Sequence, residues 1–178
     1  IRDRFNIDAK VGEEFFNKSL NRDIKTYTYG VEKEADFKAA NIKFYDDRTE
    51  YDLIIDKQKY KVSTPILGNF NVYNTLAAIT TCILLGLSRE DVIKRVQNLK
   101  SVSGRLDKVE NDKNVNIIVD YAHTPDALLN ILKSARLFTK NRIILVFGCG
   151  GNRDKAKRPI MGKIAQQNAD ISIITSDN

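Results

Sequence analysis

The sequence predicts an α/β fold in two parts, and three observations lead there. The first 65 residues form short runs that alternate polar with apolar or aromatic side chains. Residues 69 to 99 read as two consecutive helices. Past a small-residue linker, strand and helix patterns take turns, the order that builds a parallel sheet with helices packed on its faces. The chain has 178 residues, enough for one or two domains with cores of their own.

Each element has a local cause. The stretch NIDAKVGEEFFNKSL starts extended and turns helical, with Val11, Phe15, Phe16 and Leu20 expected to face inward. IKTYTYG, ADFKAANIKFY, EYDLIID and KYKVSTPI then alternate, predicting antiparallel strands with one wet face. Residues 36 to 59 are expected to be mostly scaffold. In GNFNVYNTLAAITTCILLGL, the side chains of Leu76, Ala77, Ala78, Ile79, Ile83 and Leu84 cover almost every side of a helix. That pattern predicts burial all round, with Gly86 as the stop. Ser88, three residues before Asp91, starts a second helix expected to run through Leu99. SVSGR is a small-residue linker, which places a domain boundary at 101–104 and divides the chain into 1–102 and 103–178.

In the second part the predicted order is strand 116–120, helix 125–138, strand 142–147, helix 159–168 and strand 171–175. RIILVFG and DISIITS are continuous apolar runs, as expected of strands covered on both faces. This is the front half of a Rossmann-like parallel sheet. Its last strand ends at the ligand-binding edge, so the chain is expected to be a fragment of a longer protein.

Composition narrows the function. With 29 basic and 23 acidic residues the net charge is +6, a mild excess that suits anionic ligands without requiring nucleic acid. Cys82 and Cys149 have no metal-ligand spacing and read as reduced thiols. The longest apolar stretch, 77 to 87, is interrupted by Thr80 and Thr81 and is too short to span a bilayer. A soluble monomer acting on small molecules, with no nucleic-acid or membrane partner, is expected.

Three clusters could carry chemistry. In VDYAHTPDALLN, Asp120 ends a strand, His123 is the chain's single histidine, and Thr124 and Pro125 restart a helix as N-cap and first helical residue. Ligands of open α/β sheets bind at such strand ends. The competing reading makes Asp120 a turn cap and His123 a gap filler. In FGCGGNRDKAKRP, glycines permit close backbone approach, and Arg153, Lys155, Lys157 and Arg158 supply four cations. As a dinucleotide fingerprint this stretch is defective, because Arg153 stands where the third glycine belongs. A glycine turn with a solvated basic face is the plain alternative, and no P-loop motif occurs in the sequence. Asn69, Asn71 and Asn74 gather at the start of the first long helix, with Asn71 and Asn74 on one face, so both amides could meet one ligand. Arg105, in the linker, is either an ordinary surface arginine or a fork for a phosphate or carboxylate.

In order, GNFNVYNTLAA, SGRLDKV, IVDYAHTPDAL, VFGCGGNRDKAKRPIMGKIA and ITSDN resemble the Mur ligase family over nearly the whole chain. The resemblance implies the back half of the central ATPase domain, strands plus two helices, followed by the front half of the C-terminal domain. It implies a bacterial cytoplasmic ligase that uses ATP and Mg2+ to join an amino acid to UDP-N-acetylmuramoyl-L-Ala-D-Glu through an acyl phosphate. It also implies roles: Asn74 at the adenine, Arg105 at the phosphates, Asp120 on the ribose, with His123 beside the nucleotide. Arg153 would hold the carboxylate of the incoming amino acid, and Asp177 and Asn178 its amino end, while Lys157 and Arg158 add charge. The metal ligands and P-loop are expected upstream, so the isolated chain should be inactive. Lys157-Arg158-Pro159 favours diaminopimelate over lysine as that amino acid. Other ligases of this or the folylpolyglutamate type, a nicotinamide-dinucleotide-binding fragment and a basic nucleic-acid module remain as alternatives.

Overall fold

The computed structural model describes residues 2–150 and 154–176, so Arg153, Asp177 and Asn178 lie outside the described residues. It divides into two compact units, Ile1–Lys100 and Ser101–Asn178.

The first unit contains β1 (Arg2–Asn6), α1 (Lys10–Ser19), β2 (Lys25–Gly30), β3 (Phe37–Phe44), β4 (Thr49–Ile55), β5 (Gln58–Thr64), α2 (Asn69–Leu84) and α3 (Arg89–Val96). Its strands form one sheet in sequence order. The expectation of antiparallel strands holds for β3–β4 and β4–β5 only. β1, β2 and β3 run parallel. Alternation specifies which face a residue takes, but not the direction of the neighbouring strand.

On one face of the sheet, Phe37, Ala39, Tyr51, Leu53, Ile55 and Val62 pack against Val72, Leu76 and Ile79 of α2 and Val92, Ile93 and Val96 of α3. Burying each Val, Leu, Ile or Phe side chain among them contributes about 1.5–3 kcal/mol relative to exposure. In α2 only Val72, Thr75, Leu76, Ile79 and Thr80 are fully buried and Ala78 is exposed, so the all-round burial read from the sequence is corrected. The predicted stop is present. Gly86 (φ +99) lets its own N–H reach the Ile83 carbonyl and the Leu87 N–H reach that of Cys82, the paired bonds of a Schellman ending. Ser88 caps α3 by accepting the Asp91 N–H at 3.1 Å; the helix ends at Val96, three residues before the expected Leu99.

The inward face read for α1 is also corrected. Val11, Phe15 and Leu20 are exposed, while Phe16 packs edge-on against Phe5. The cause is Gly12, where an added Cβ would lie 1.9 Å from the Asn6 carbonyl oxygen. Close approach there turns the Gly12–Phe16 row toward β1 and the larger stripe away.

The second unit contains β6 (Asp107–Val109), β7 (Ile117–Val119), α4 (Pro125–Phe138), β8 (Ile144–Gly148), α5 (Lys157–Asn168) and β9 (Ile171–Thr175). α4 and β9 have the bounds expected from the sequence. β8 and β9 pair in parallel, whereas β7 pairs antiparallel with β6, a strand in a stretch to which the sequence assigns no element. Leu128 and Leu132 of α4, Met161 of α5 and Ile143 form the core, with Leu145 and Phe147 packed against it. Ile144 and Val146 of β8 and Ile173 of β9 are exposed on one face, and Ile174 on the other, so among the described residues the covering of both faces expected from the apolar runs is not found. No helix among them is long and apolar enough to cross a membrane.

A single carboxylate fastens several segments of the first unit. Asp8 accepts the N–H groups of Val31 (2.6 Å), Glu32 (3.0 Å) and Lys33 (2.7 Å) and the Tyr73 hydroxyl of α2 (3.0 Å). Burial pushes its pKa up, but the three N–H groups and the hydroxyl outweigh that and hold it below the ordinary aspartate range. The stabilisation from this clamp is therefore present above the unfolded carboxyl pKa, near ~3.9, and is lost as pH falls through the folded value. Denaturant unfolding at pH 7 and pH 3 should show a smaller loss of stability on acidification in Asp8→Asn than in the wild type. Equal losses would remove Asp8 from the account.

Candidate functional site

The loop after β7 begins with Asp120, whose half-buried carboxylate joins two segments. One oxygen, Oδ2, accepts the Leu106 N–H at 2.8 Å, and Oδ1 accepts the Ala122 N–H at 2.8 Å. Leu106 is buried and takes φ +47, a strained conformation for a branched side chain, and Asp120 receives the N–H which that conformation presents. Next along, the Tyr121 N–H donates to the Gly104 carbonyl at 2.8 Å. The segment 104–106 is thus fastened along the loop. The turn-capping alternative for Asp120 is realised in these bonds. A carboxylate has about four acceptor positions, so both oxygens keep capacity for a ligand hydroxyl.

This fastening brings the predicted residues of the second unit into a row. The Arg105 guanidinium lies over the Tyr121 ring at 5.3 Å, and the Tyr121 and His123 rings are 4.8 Å apart, centre to centre. The His123 Nδ1 is 2.9 Å from the Tyr121 carbonyl. A carbonyl only accepts, so Nδ1 carries the proton, and Nε2 is the nitrogen left for a ligand. Arg105, Tyr121 and His123 are all exposed. Together they offer a cation and two flat rings, suited to a nucleotide's phosphates and its sugar or base.

Lys157, read from the sequence as accessory charge, has a defined partner. From the first position of α5 its Nζ donates to the His123 carbonyl at 3.0 Å, which pins the loop from the other side. Asp154 Oδ1 accepts the N–H groups of Ala156 (3.0 Å) and Lys157 (3.3 Å) and so holds the start of that helix. Thr124 caps α4 as expected, accepting the Ala127 N–H at 3.3 Å, with Pro125 in the first turn. Arg158 is exposed on α5.

In the first unit, Asn74 is exposed on the first turns of α2, and its Nδ2 donates to Asn71 Oδ1 at 2.9 Å. Asn71 in turn donates through Nδ2 to the Leu67 carbonyl at 2.7 Å. The two amides therefore do not both reach out to one ligand. Asn71 supports Asn74.

Sequence reasoning passed over Tyr121, although it stands between Asp120 and His123. The signal was its two-residue spacing from the histidine, which in an extended loop puts both rings on one side. It also passed over Asp8 and Asp107. Asp107 accepts from the Ser101 hydroxyl at 2.8 Å and the Gly104 N–H at 3.2 Å, bonds that hold its carboxyl below the usual range. Among the described residues, no three histidine, cysteine or carboxylate side chains come together as a metal would need.

Comparison with known proteins follows the same division. Residues 4–82 match the Mur ligase middle domain, and residues 104–178 match the Mur ligase glutamate ligase domain. The chain is similar to proteins named UDP-N-acetylmuramoyl-L-alanyl-D-glutamate--2,6-diaminopimelate ligase. With that of Clostridioides difficile (strain 630) the identity is 46% over 97% of this chain and 36% of the relative. With that of Fusobacterium nucleatum it is 40%, over 97% and 35%. A solved structure of an enzyme with that name superposes on 99% of this chain and 37% of its own, with TM-score 0.76 and 32% identity. The chain thus spans little more than a third of the length of these relatives.

The Asp120 bonds make a direct prediction. Replacing Asp120 by Asn turns one acceptor into a donor, leaving the N–H of Leu106 or of Ala122 without a partner at a cost of about 1–3 kcal/mol. Hydrogen exchange should then accelerate at one of these amides in Asp120→Asn, while amides within α4 keep their protection. Unchanged exchange at both would contradict the bridge.

Proposed function

The chain belongs to the Mur ligase family, and from that premise we propose that it supplies nucleotide- and amino-acid-binding parts of an ATP-dependent ligase. The reaction adds a third amino acid, meso-diaminopimelate, to UDP-N-acetylmuramoyl-L-Ala-D-Glu in the bacterial cytoplasm. Residues 1–102 belong to the central ATP-binding domain and residues 103–178 to the amino-acid-binding domain, in a monomeric enzyme. The observation that carries this reading is the Arg105–Tyr121–His123 row, fastened by Asp120 and Lys157 to one loop at a strand end.

The chemistry follows from the substrate. A carboxylate is a poor electrophile, so the glutamate side chain first takes the γ-phosphoryl group of ATP and ADP departs. The amine of the incoming residue then attacks the acyl carbon of that anhydride, loses a proton, and expels phosphate as the amide bond forms. Most of the work is positioning and charge neutralisation. Asn74 reads the base, Asp120 accepts from the ribose hydroxyls, His123 lies beside the nucleotide and Arg105 neutralises its phosphates. Arg153 holds the carboxylate of the incoming amino acid, Asp177 and Asn178 its amino end, and Arg158 adds positive charge. Lys157 acts by pinning the His123 carbonyl as well as by its charge. Diaminopimelate is favoured by Lys157-Arg158-Pro159 and by the name of the relatives.

The full-length protein, given ATP and UDP-N-acetylmuramoyl-L-Ala-D-Glu, should release phosphate on addition of meso-diaminopimelate and far less with lysine. The 178-residue chain alone should give no turnover. Arg105→Ala removes a charge-assisted contact and should raise KM for ATP by about 10- to 100-fold. Phosphate release that no amino acid stimulates, or an unchanged KM in Arg105→Ala, would overturn the assignment.

A further inference from the structure

Lys157 occupies the first position of α5, where a cation opposes the positive end of the helix dipole, and no acidic residue stands in that first turn. Helix stability therefore does not account for it. Its side chain instead crosses to the loop after β7, 34 residues away in sequence, and donates to the His123 carbonyl at 3.0 Å. Lys157 is half-buried, so this charge-assisted bond is partly withdrawn from competing water. Both of its ends are fixed. At one end, Asp120 holds Leu106 and Ala122, and the His123 ring returns through Nδ1 to the Tyr121 carbonyl. At the other, the N–H groups of Ala156 and Lys157 both donate to Asp154 Oδ1. One residue carries both halves of the link: its ammonium grips the loop, and its N–H grips the turn that opens α5.

We propose that Lys157 is a positioning residue that transmits nucleotide binding from the loop after β7 to the turn at 154–157, which is held more firmly once a nucleotide is bound. This rests on the nucleotide reading above and adds a regulation of that site. A nucleotide on Arg105, Tyr121 and His123 restricts the loop. A restricted His123 carbonyl keeps its hold on the ammonium, and the ammonium restrains the turn to which its own backbone is tied. Arg153, assigned above to the carboxylate of the incoming amino acid, directly precedes this turn in sequence. A turn already ordered costs an arriving amino acid less, so nucleotide and amino acid favour each other's binding by the same factor in either direction. The amino acid is thus gathered preferentially by protein that already holds nucleotide.

The test is hydrogen exchange in the full-length protein, with and without AMP-PNP, at Ala122 in the loop and at Ala156 and Lys157 in the turn. In the wild type AMP-PNP should slow all three amides, the turn pair by about fivefold or more, the lower range of coupling between sites. Lys157→Met keeps most of the stem but has no donor, so AMP-PNP should still slow Ala122 and leave the two turn amides unchanged. Lys157→Arg restores a cationic donor and should recover the slowing. The ratio of meso-diaminopimelate dissociation constants without and with AMP-PNP should likewise fall from about fivefold in the wild type toward one in Lys157→Met, and recover in Lys157→Arg. If Lys157→Met weakens both constants together and leaves their ratio alone, Lys157 acts only as a charge and the proposal fails. It fails equally if AMP-PNP still protects the turn in Lys157→Met, or if that variant binds no AMP-PNP, which makes Lys157 a ligand of the nucleotide. A wild type in which AMP-PNP slows Ala122 alone overturns the proposal and leaves the nucleotide reading standing. A wild type that binds no AMP-PNP overturns both.

Discussion

Loop backbones carry N–H groups that no helix or sheet ladder satisfies, and in this protein aspartate carboxylates capture them. Asp8 gathers three consecutive N–H groups after β2 together with a tyrosine hydroxyl from α2, and Asp120 joins the N–H groups of Leu106 and Ala122. A buried N–H left alone costs about as much as a lost hydrogen bond, so these two side chains determine where the loops go. The consequence in the second unit is direct. Because Asp120 fixes both Leu106 and Ala122, Arg105 and Tyr121 cannot separate without breaking that bridge. The stack between them is a product of backbone capture rather than of a weak cation–π attraction acting alone.

The first unit solves a related problem with a rigid helix. The buried stripe of Val72, Leu76 and Ile79 locks α2 onto the sheet, and Tyr73 ties the same helix to Asp8. Asn71 and Asn74 therefore stand on a surface that packing does not allow to rotate. Their amides inherit an orientation from a main-chain carbonyl, the one group in that chain with no alternative arrangement.

What the sequence makes legible is what local chemistry decides. The ends of α4 and the Ser88 cap follow from residues within one turn of each helix end, and the Gly86 stop from a conformation that glycine adopts freely. What escaped is what distant segments decide. The parallel course of β1, β2 and β3 depends on neighbours that no alternation pattern encodes. The face that α1 buries depends on the approach of Gly12 to Asn6, which overrides a larger apolar stripe at helical spacing. β6 is three residues long, and its pairing partner lies beyond a turn, so no strand is read there. Among the candidate site residues, types and positions could be read, but the direction of the Asn71 amide and the grip of Lys157 on the His123 carbonyl needed coordinates.

The row of Arg105, Tyr121 and His123, fastened by Asp120 at the end of β7, is the proposed nucleotide-facing surface of the second unit. A crystal structure of the full-length protein with AMP-PNP tests it most directly. The expected result is a ribose hydroxyl donating to Asp120 and phosphates beside Arg105, with the Asp120 bonds to Leu106 and Ala122 intact. A nucleotide seated elsewhere, with Arg105 and Asp120 both in contact with solvent, would contradict it.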